Sequence, residues 1–345
     1  KFALIIMIVS FYKMLNSKIL ARTYSIIFFV IFVLLFDMLF RPNRLIITYI
    51  YEFLIYGAIP IHLLAQVKDS RSLLKLYALF SAVVFILYFT DPFNGYFIFG
   101  DYMTFGFNFA LPAYFGLYLG RKVFNNKWYL IFEIICLIEI IVFANRSAIL
   151  GVVFLWLIYN FIYEKGKKEK IKKFIFLLIL FIIMLSSMNY LLNVAIDVMR
   201  HFGLFSYSLY HLNLYIAEKN WIGMFSGRVG IWELAGNMIR DTNILIGAGT
   251  GAFQSKHGFY SHNIILDLVS QYGIVGLLFA LIKLIKSNHR VLKQDKYTMI
   301  IGFLFLSLWF PKLLFSSYFY KDMGFWCFLA IGSLKIQRNN KTKID

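Results

Sequence analysis

The chain has 345 residues, 61% of them hydrophobic and 20% aromatic, and only 15% charged. A soluble domain averages roughly 25% charged residues, and many runs here reach the roughly 17–25 apolar residues that cross a bilayer, so a water-soluble globular class is excluded. The net charge of +18 does not point to nucleic acid, because Lys and Arg fall in short clusters between apolar runs, as topology signals do.

Taken in order, residues 1–12 are apolar but short, a truncated span or the remnant of a signal anchor. Spans are predicted over 19–40, 45–66, 73–90 and 102–120. Arg41-Pro42-Asn43-Arg44 makes a tight turn, and the loop 91–101 carries two acids and no Lys or Arg. The run 128–163 is too long for one span and is broken by Asn145-Arg146-Ser147, so it counts as two. A further span covers 171–196. The only long hydrophilic region, 197–261, follows, and spans over 262–284, 297–315 and 323–334 close the chain. Cys136 and Cys327 both lie inside apolar runs and offer neither a disulfide framework nor a zinc site. The expected fold is an all-α polytopic membrane protein with about 10–11 transmembrane helices and one large extracytoplasmic loop. Its parts are an N-terminal bundle (1–196), the loop with an amphipathic helix (197–261), and C-terminal helices with a basic cytoplasmic tail (262–345).

Basic clusters at 13–22, 68–75, 121–127, 165–173, 283–296 and 335–343 fall on one side of this span list, alternately. Cytoplasmic loops carry the excess of Lys and Arg, so the C-terminus is placed inside. The loop 91–101, the break at Asn145-Arg146 and the region 197–261 are placed outside. Arg41 and Arg44 also land outside, where basic pairs at a span end can snorkel to headgroups.

The chemistry-bearing residues gather on that outer face. Arg146 interrupts an apolar run of the kind in which charges are costly and usually functional or paired; a snorkelling anchor or an ion pair with Glu139 also fits the residue alone. From Gly227 to Arg240, Ile231, Trp232, Ala235, Met238 and Ile239 recur at helical spacing. That helix lies along the membrane surface with Arg228 at its start and Arg240 at its end, an arrangement that also suits plain contact with lipid phosphate. The cluster Gly247-Ala248-Gly249-Thr250-Gly251 lacks the strand and βαβ unit of a nucleotide loop, and its glycines permit a sharp turn or close approach to a ligand. His262 and Asn263 stand where a helix enters the membrane. The field of a helix N-terminus favours an anion and a neutral imidazole able to accept a proton, although a satisfied interfacial histidine fits the lone residue. Asn263, Asp267 and Gln271 then recur every four residues, a polar stripe that faces a water-filled cavity or the bundle interior rather than lipid.

Together, Ser226-Gly227-Arg228 with Trp232, Gly247-x-Gly249, and His262-Asn263 with Gly273, Ile274 and Gly276 resemble the signature of the O-antigen ligase and polymerase superfamily. Asn145-Arg146-Ser147 is similar to that family's earlier arginine motif. The resemblance covers about residues 100–335; the block from Arg228 to His262 is its specific part. One departure is Asn243-Ile244-Leu245-Ile246, where the family often has a proline. The resemblance implies a GT-C-like, membrane-embedded, inverting glycosyltransferase of the bacterial cytoplasmic (inner) membrane, facing the periplasm or cell exterior. Its donor is an oligosaccharide on undecaprenyl pyrophosphate. It works without cofactor or metal, surrounded by membrane lipid and with a chain-length regulator protein as a further partner. His262, Arg228 and Arg146 take the catalytic positions, and Asn263, Asp267, Arg240, Trp232 and Gly249 the substrate-binding ones. Arginine's planar fork grips phosphate bidentately, which is what a site with no Asp-x-Asp or His/Glu cluster on its outer face needs for a pyrophosphate leaving group. A repeat-unit polymerase is favoured. The alternatives are a ligase that transfers the polymer to lipid A core and, from a different class, a polysaccharide flippase, which would show internal repeats that this chain lacks.

The topology is checked by reporter fusions at Lys168, Asn220 and Lys341, expected to read inside, outside and inside. An inside report at Asn220 would remove the basis of the functional reading.

Overall fold

The computed structural model describes residues 20–94, 98, 101–163, 172, 175, 188–218 and 228–332. The segment 1–12, the basic cluster 165–173 apart from Lys172, most of the span predicted over 171–196, Ser226-Gly227 and the basic tail 335–343 lie outside the described residues. Among the described residues the chain is all-helical, with no strand. Among the described residues four helices are long and apolar enough to cross a membrane by length and composition: Ile46–Ala65, Ser70–Tyr88, Ile264–Val291 and Lys296–Phe315. Large apolar side chains such as Phe32, Leu39, Phe80 and Ile86 stand exposed on these and neighbouring helices, as on a surface that lipid covers. The chain is an all-α membrane protein in that sense.

Two compact units divide it, 1–71 with 230–345 and 72–229. The first contains α1 (Leu20–Phe40) and α2 (Ile46–Ala65). The second begins within α3 (Ser70–Tyr88), whose first two residues belong to the first unit, and continues through α4 (Leu111–Phe124), α5 (Tyr129–Phe143), α6 (Arg146–Tyr163), α7 (Met188–His201) and α8 (Tyr207–Ala217). The chain then returns to the first unit through α9 (Arg228–Asp241), α10 (Ala252–His257), α11 (Ile264–Val291), α12 (Lys296–Phe315) and α13 (Met323–Ile331).

Sequence explains most helix ends. Asn145 accepts the amide of Ala148 at 2.9 Å, so the break in the long apolar run is a side-chain cap between α5 and α6. Asn263 caps α11 through Ile265 and Leu266, Asp295 caps α12 through Tyr297 and Thr298, and Asp322 caps α13 through Phe325. Two prolines inside apolar helices are each preceded by a widened π-turn: Leu54–Ala58 before Pro60, and Phe105–Ala110 before Pro112. Proline brings no N–H and its ring crowds the preceding turn, and a wider turn relieves that crowding. In the second unit the carbonyls around this turn are put to use. Tyr77 donates to the Pro112 carbonyl at 2.6 Å and Cys136 to the Ala110 carbonyl at 3.4 Å, while the Tyr88 hydroxyl meets the Cys136 sulfur at 3.0 Å.

In the first unit the nine-residue α13 is buried from Gly324 to Ile331 among α2, α11 and α12. One end of the unit is held by Ser70 on Thr298 at 2.7 Å, Arg71 over the Tyr297 ring, and Arg290 on the Gly332 carbonyl. The other end collects the C-terminus of α1, the start of α2, the loop 242–263, and the connection 316–322 between α12 and α13.

That second end rests on a break in α11. Gly273 has φ 65 and ψ −168, a conformation open essentially to glycine alone. In an unbroken helix Ser270 and Gln271 would accept from Ile274 and Val275. Here Ala248 and Gly249 donate to Ser270 and Gln271, each at 2.8 Å, and Ile274 and Val275 donate to the carbonyls of Ile244 and Leu245 at 2.9 and 3.2 Å. The glycine loop replaces the lost turn of helix, bond for bond. The two backbones are so close that a Cβ on Gly247 would lie 2.5 Å from the Gln271 carbonyl, and one on Gly273 2.2 Å from that of Leu245.

Gly273→Ala combines a forbidden backbone angle with a backbone collision, so it is expected to destabilise the protein by about 3 kcal/mol or more. Thermal unfolding of the detergent-purified protein measures this. A melting temperature within a degree of wild type would contradict the helix break.

Candidate functional site

The polar groups of the first unit converge on the broken helix and its loop. Asp37, in the apolar helix α1, is fully buried. Its carboxylate accepts from the Thr250 amide at 2.8 Å and the Thr250 hydroxyl at 2.5 Å, and is paired with Arg41 one turn on. Arg41 also donates to the carbonyls of Ile246 and Gly247 at 3.0 and 3.3 Å, and Asn43 to that of Thr250 at 2.5 Å. The turn 41–44 thus clasps the glycine loop. The Thr250 hydroxyl meets Tyr272 at 2.6 Å, and Tyr272 shares a further hydrogen bond with Tyr320. The Gly251 amide donates to the Gln271 side chain at 3.3 Å. A cleft of about 330 Å³ opens beside this clasp, lined by Arg41, Asn43, Ser255 and Lys256 among others.

His262 lies in the same unit, directly before α11. Its backbone is left-handed (φ 56), an uncommon state for a residue with a Cβ, placed between buried Ser261 and the cap Asn263. The imidazole is half-buried, with its centroid 4.2 Å from that of Tyr260. Tyr260 in turn lies 4.9 Å from Tyr318 and reaches the Ser316 carbonyl at 3.5 Å. Tyr318 donates to Glu52 of α2 at 2.5 Å. Burial and this bond to a carboxylate hold the Tyr318 hydroxyl above its ordinary value, with Tyr260 and Asp267 adding to the rise, so it stays a donor.

The predicted polar stripe faces the bundle interior. Asp267 and Gln271 are 2% and 1% exposed, while the neighbouring Ile265 is 49% exposed. Asn263 spends its side chain on capping α11. The Gly249 amide is committed to the helix break. The predicted amphipathic segment is the helix α9; Ala235 and Met238 are buried with Phe253, and Ile231, Ala248 and Leu266 pack on them. Trp232 is half-buried on this helix, and Arg240 is exposed and bonded to Asn237. Arg228 is the first residue of α9 and half-buried.

Arg146 belongs to the second unit. It opens α6 directly after the Asn145 cap, is half-buried, and holds its guanidinium 5.8 Å above the ring of Tyr215 in α8. The cap of α8, Ser206, donates to the Val142 carbonyl and so ties that helix to the end of α5. Glu139, the alternative partner for Arg146, is 1% exposed, and neither carboxylate oxygen makes a hydrogen bond. Among the described residues no group of three or more His, Cys, Asp or Glu is arranged to hold a metal ion.

Sequence reasoning missed Asp37 and Glu52. Each is the only acid in an apolar helix, which is itself a signal of a functional or paired carboxylate; Thr250 and Tyr318, more than 200 residues away, left no local trace. No protein-family model, curated protein or solved structure matches the chain.

Thr250→Val removes the hydroxyl that bridges Asp37 and Tyr272. A buried carboxylate deprived of one donor costs about 1–3 kcal/mol, so a lower melting temperature is expected, with Thr250→Ser recovering most of it. Equal melting of Val and Ser variants would show that the hydroxyl contributes nothing.

Proposed function

We propose that the chain is a membrane-embedded glycosyltransferase that polymerises undecaprenyl-pyrophosphate-linked oligosaccharide repeat units of a surface polysaccharide on the outer face of the cytoplasmic membrane. The observation that carries this reading is His262. Its backbone is left-handed, it stands at the mouth of a membrane-length helix, and its half-buried ring packs against Tyr260, so the structure holds it in one ordered position. The motif resemblance supplies the reaction.

In that reaction an acceptor hydroxyl oxygen attacks the anomeric carbon of the donor. The bond from that carbon to the pyrophosphate oxygen breaks, the pyrophosphate leaves on its lipid, and the hydroxyl proton passes to His262. A single displacement inverts the anomeric centre. A general base within hydrogen-bond reach contributes typically 10²–10⁴-fold. Arg146 and Arg228 are assigned to the charge developing on the leaving pyrophosphate, where bidentate guanidinium contacts strengthen in the transition state. The count of about 10–11 transmembrane helices, the GT-C-like architecture and the outward-facing site belong to this proposal, as does the full set of substrate-binding residues.

Transfer from purified lipid-linked donor in detergent tests it. Arg146→Ala and Arg228→Ala are expected to lose on the order of 10²–10³ in rate, with Lys only partly restoring it. His262→Ala should lower turnover more than donor binding. Full activity of His262→Ala and Arg228→Ala at normal protein levels would overturn the assignment. In a deletion strain, loss of long chains with single repeats retained marks a polymerase, and polymer persisting on its carrier marks a ligase.

A further inference from the structure

We propose that the cleft beside the glycine-loop clasp binds the phosphate group of a lipid, with Lys256 and Ser255 as its free donors. Which lipid rests on the polymerase reading. Joining two lipid-linked repeat units brings two carrier pyrophosphates to the protein. Arg146 and Arg228 are assigned to the donor's. The acceptor's requires a second cationic site, and this cleft lies in the unit that carries His262. Lys256 precedes His262 by six residues, at most about 20 Å of extended chain, a span that an oligosaccharide repeat can bridge.

Two cations border the cleft of about 330 Å³, Arg41 and Lys256, and no carboxylate does. Arg41 cannot turn away, because its terminal nitrogens hold Asp37 and the carbonyls of Ile246 and Gly247. The Asp37 side chain is fully buried while that of Arg41 is 25% exposed, so the guanidinium is the accessible end of the ion pair. Asn43 is fixed by its bond to the Thr250 carbonyl. Lys256 and Ser255 are exposed, and among the described residues neither side chain makes a hydrogen bond or ion pair. An ammonium and a hydroxyl without protein partners, on a wall held in place by its backbone contacts, suit a phosphate, which lysine binds as a point charge.

The surface around the cleft adds the hydrocarbon chain. Leu39 and Phe40, directly before Arg41, are largely exposed, as are Leu245 and Ile246, whose carbonyl Arg41 holds. A basic pocket bordered by apolar surface fits a lipid head group with its tail in the bilayer. In the topology expected from the basic clusters, the turn 41–44 and the loop before α11 lie outside, where Lys and Arg are not needed as topology signals. An outer-leaflet phosphate gives Arg41, Arg44 and Lys256 a role there.

Lys256 and Ser255 are surface residues, so changing them leaves the clasp intact. Binding of radiolabelled farnesyl pyrophosphate, a short polyprenyl pyrophosphate, to the detergent-purified full chain reads the site. The chain carries Arg228→Ala, which disables the assigned donor site. Adding Lys256→Glu is expected to raise Kd at least about tenfold, as the loss of a charge-assisted contact does, and adding Ser255→Ala to raise it less. Inorganic pyrophosphate should compete more weakly, because it leaves the apolar border unused. An unchanged Kd in folded Lys256→Glu overturns the proposal, and equal competition by inorganic pyrophosphate overturns its lipid part. Equal competition by phosphatidylglycerol keeps a lipid phosphate site and overturns the acceptor assignment. In the transfer assay, Lys256→Glu alone should raise acceptor KM about tenfold with donor KM within about twofold; an unchanged acceptor KM also overturns that assignment. Lys256-dependent binding in a wild-type chain that transfers no sugar would sink the glycosyltransferase reading and leave the phosphate site standing.

Discussion

A membrane-length helix that breaks in mid-course leaves backbone groups that lipid cannot satisfy, and the first unit is organised around how this chain satisfies them. At Gly273 two helical hydrogen bonds are lost, and the segment 244–249 supplies two acceptors and two donors in their place. Irregular backbone at membrane depth survives only where it is buried in protein or lines a cavity. Here it is buried by another stretch of irregular backbone, which is stabilised by the same four bonds. Neither partner is stable in that environment without the other.

The side chains around the break follow from it. Because the loop must lie against α11, Thr250 is brought to Asp37 and Tyr272, and the turn 41–44 is brought over the loop carbonyls. Asp37 is tolerable in the apolar interior because an arginine and two groups of Thr250 surround its carboxylate; a buried charge without such partners would be strongly destabilising. The same docking fixes the path of residues 252–262 back to the head of α11. The left-handed turn at His262 is the last step of that path, and the ring's position against Tyr260 depends on it.

Much of the helical layout was legible in the sequence, because apolar runs and their breakers are local signals. The span predicted over 45–66 is the helix Ile46–Ala65, and the interruption at 145–147 is a cap between two helices. The amphipathic spacing after Gly227 identified α9. The helix break was not legible. A single glycine inside an apolar run is common in membrane helices, and nothing local to Gly273 says that another segment replaces its turn. The glycines at 247 and 249 were read as permitting a sharp turn or a ligand's approach. The structure shows a sharp approach to the backbone of a helix more than twenty residues on. Asp37 and Glu52 illustrate a third case. The lone acid was visible, but its meaning lay in partners brought in from the far end of the chain.

The exchange at Gly273 also bears on how the protein is made. A helix normally enters the bilayer with its backbone already satisfied, as an independent unit. α11 cannot do so over its full length. Entering before the loop docks would strand the carbonyls of Ser270 and Gln271 and the amides of Ile274 and Val275, at several kcal/mol for each group. The nascent chain emits residues 244–249 first and the helix shortly afterwards. Synthesis order therefore presents the splint before the fracture.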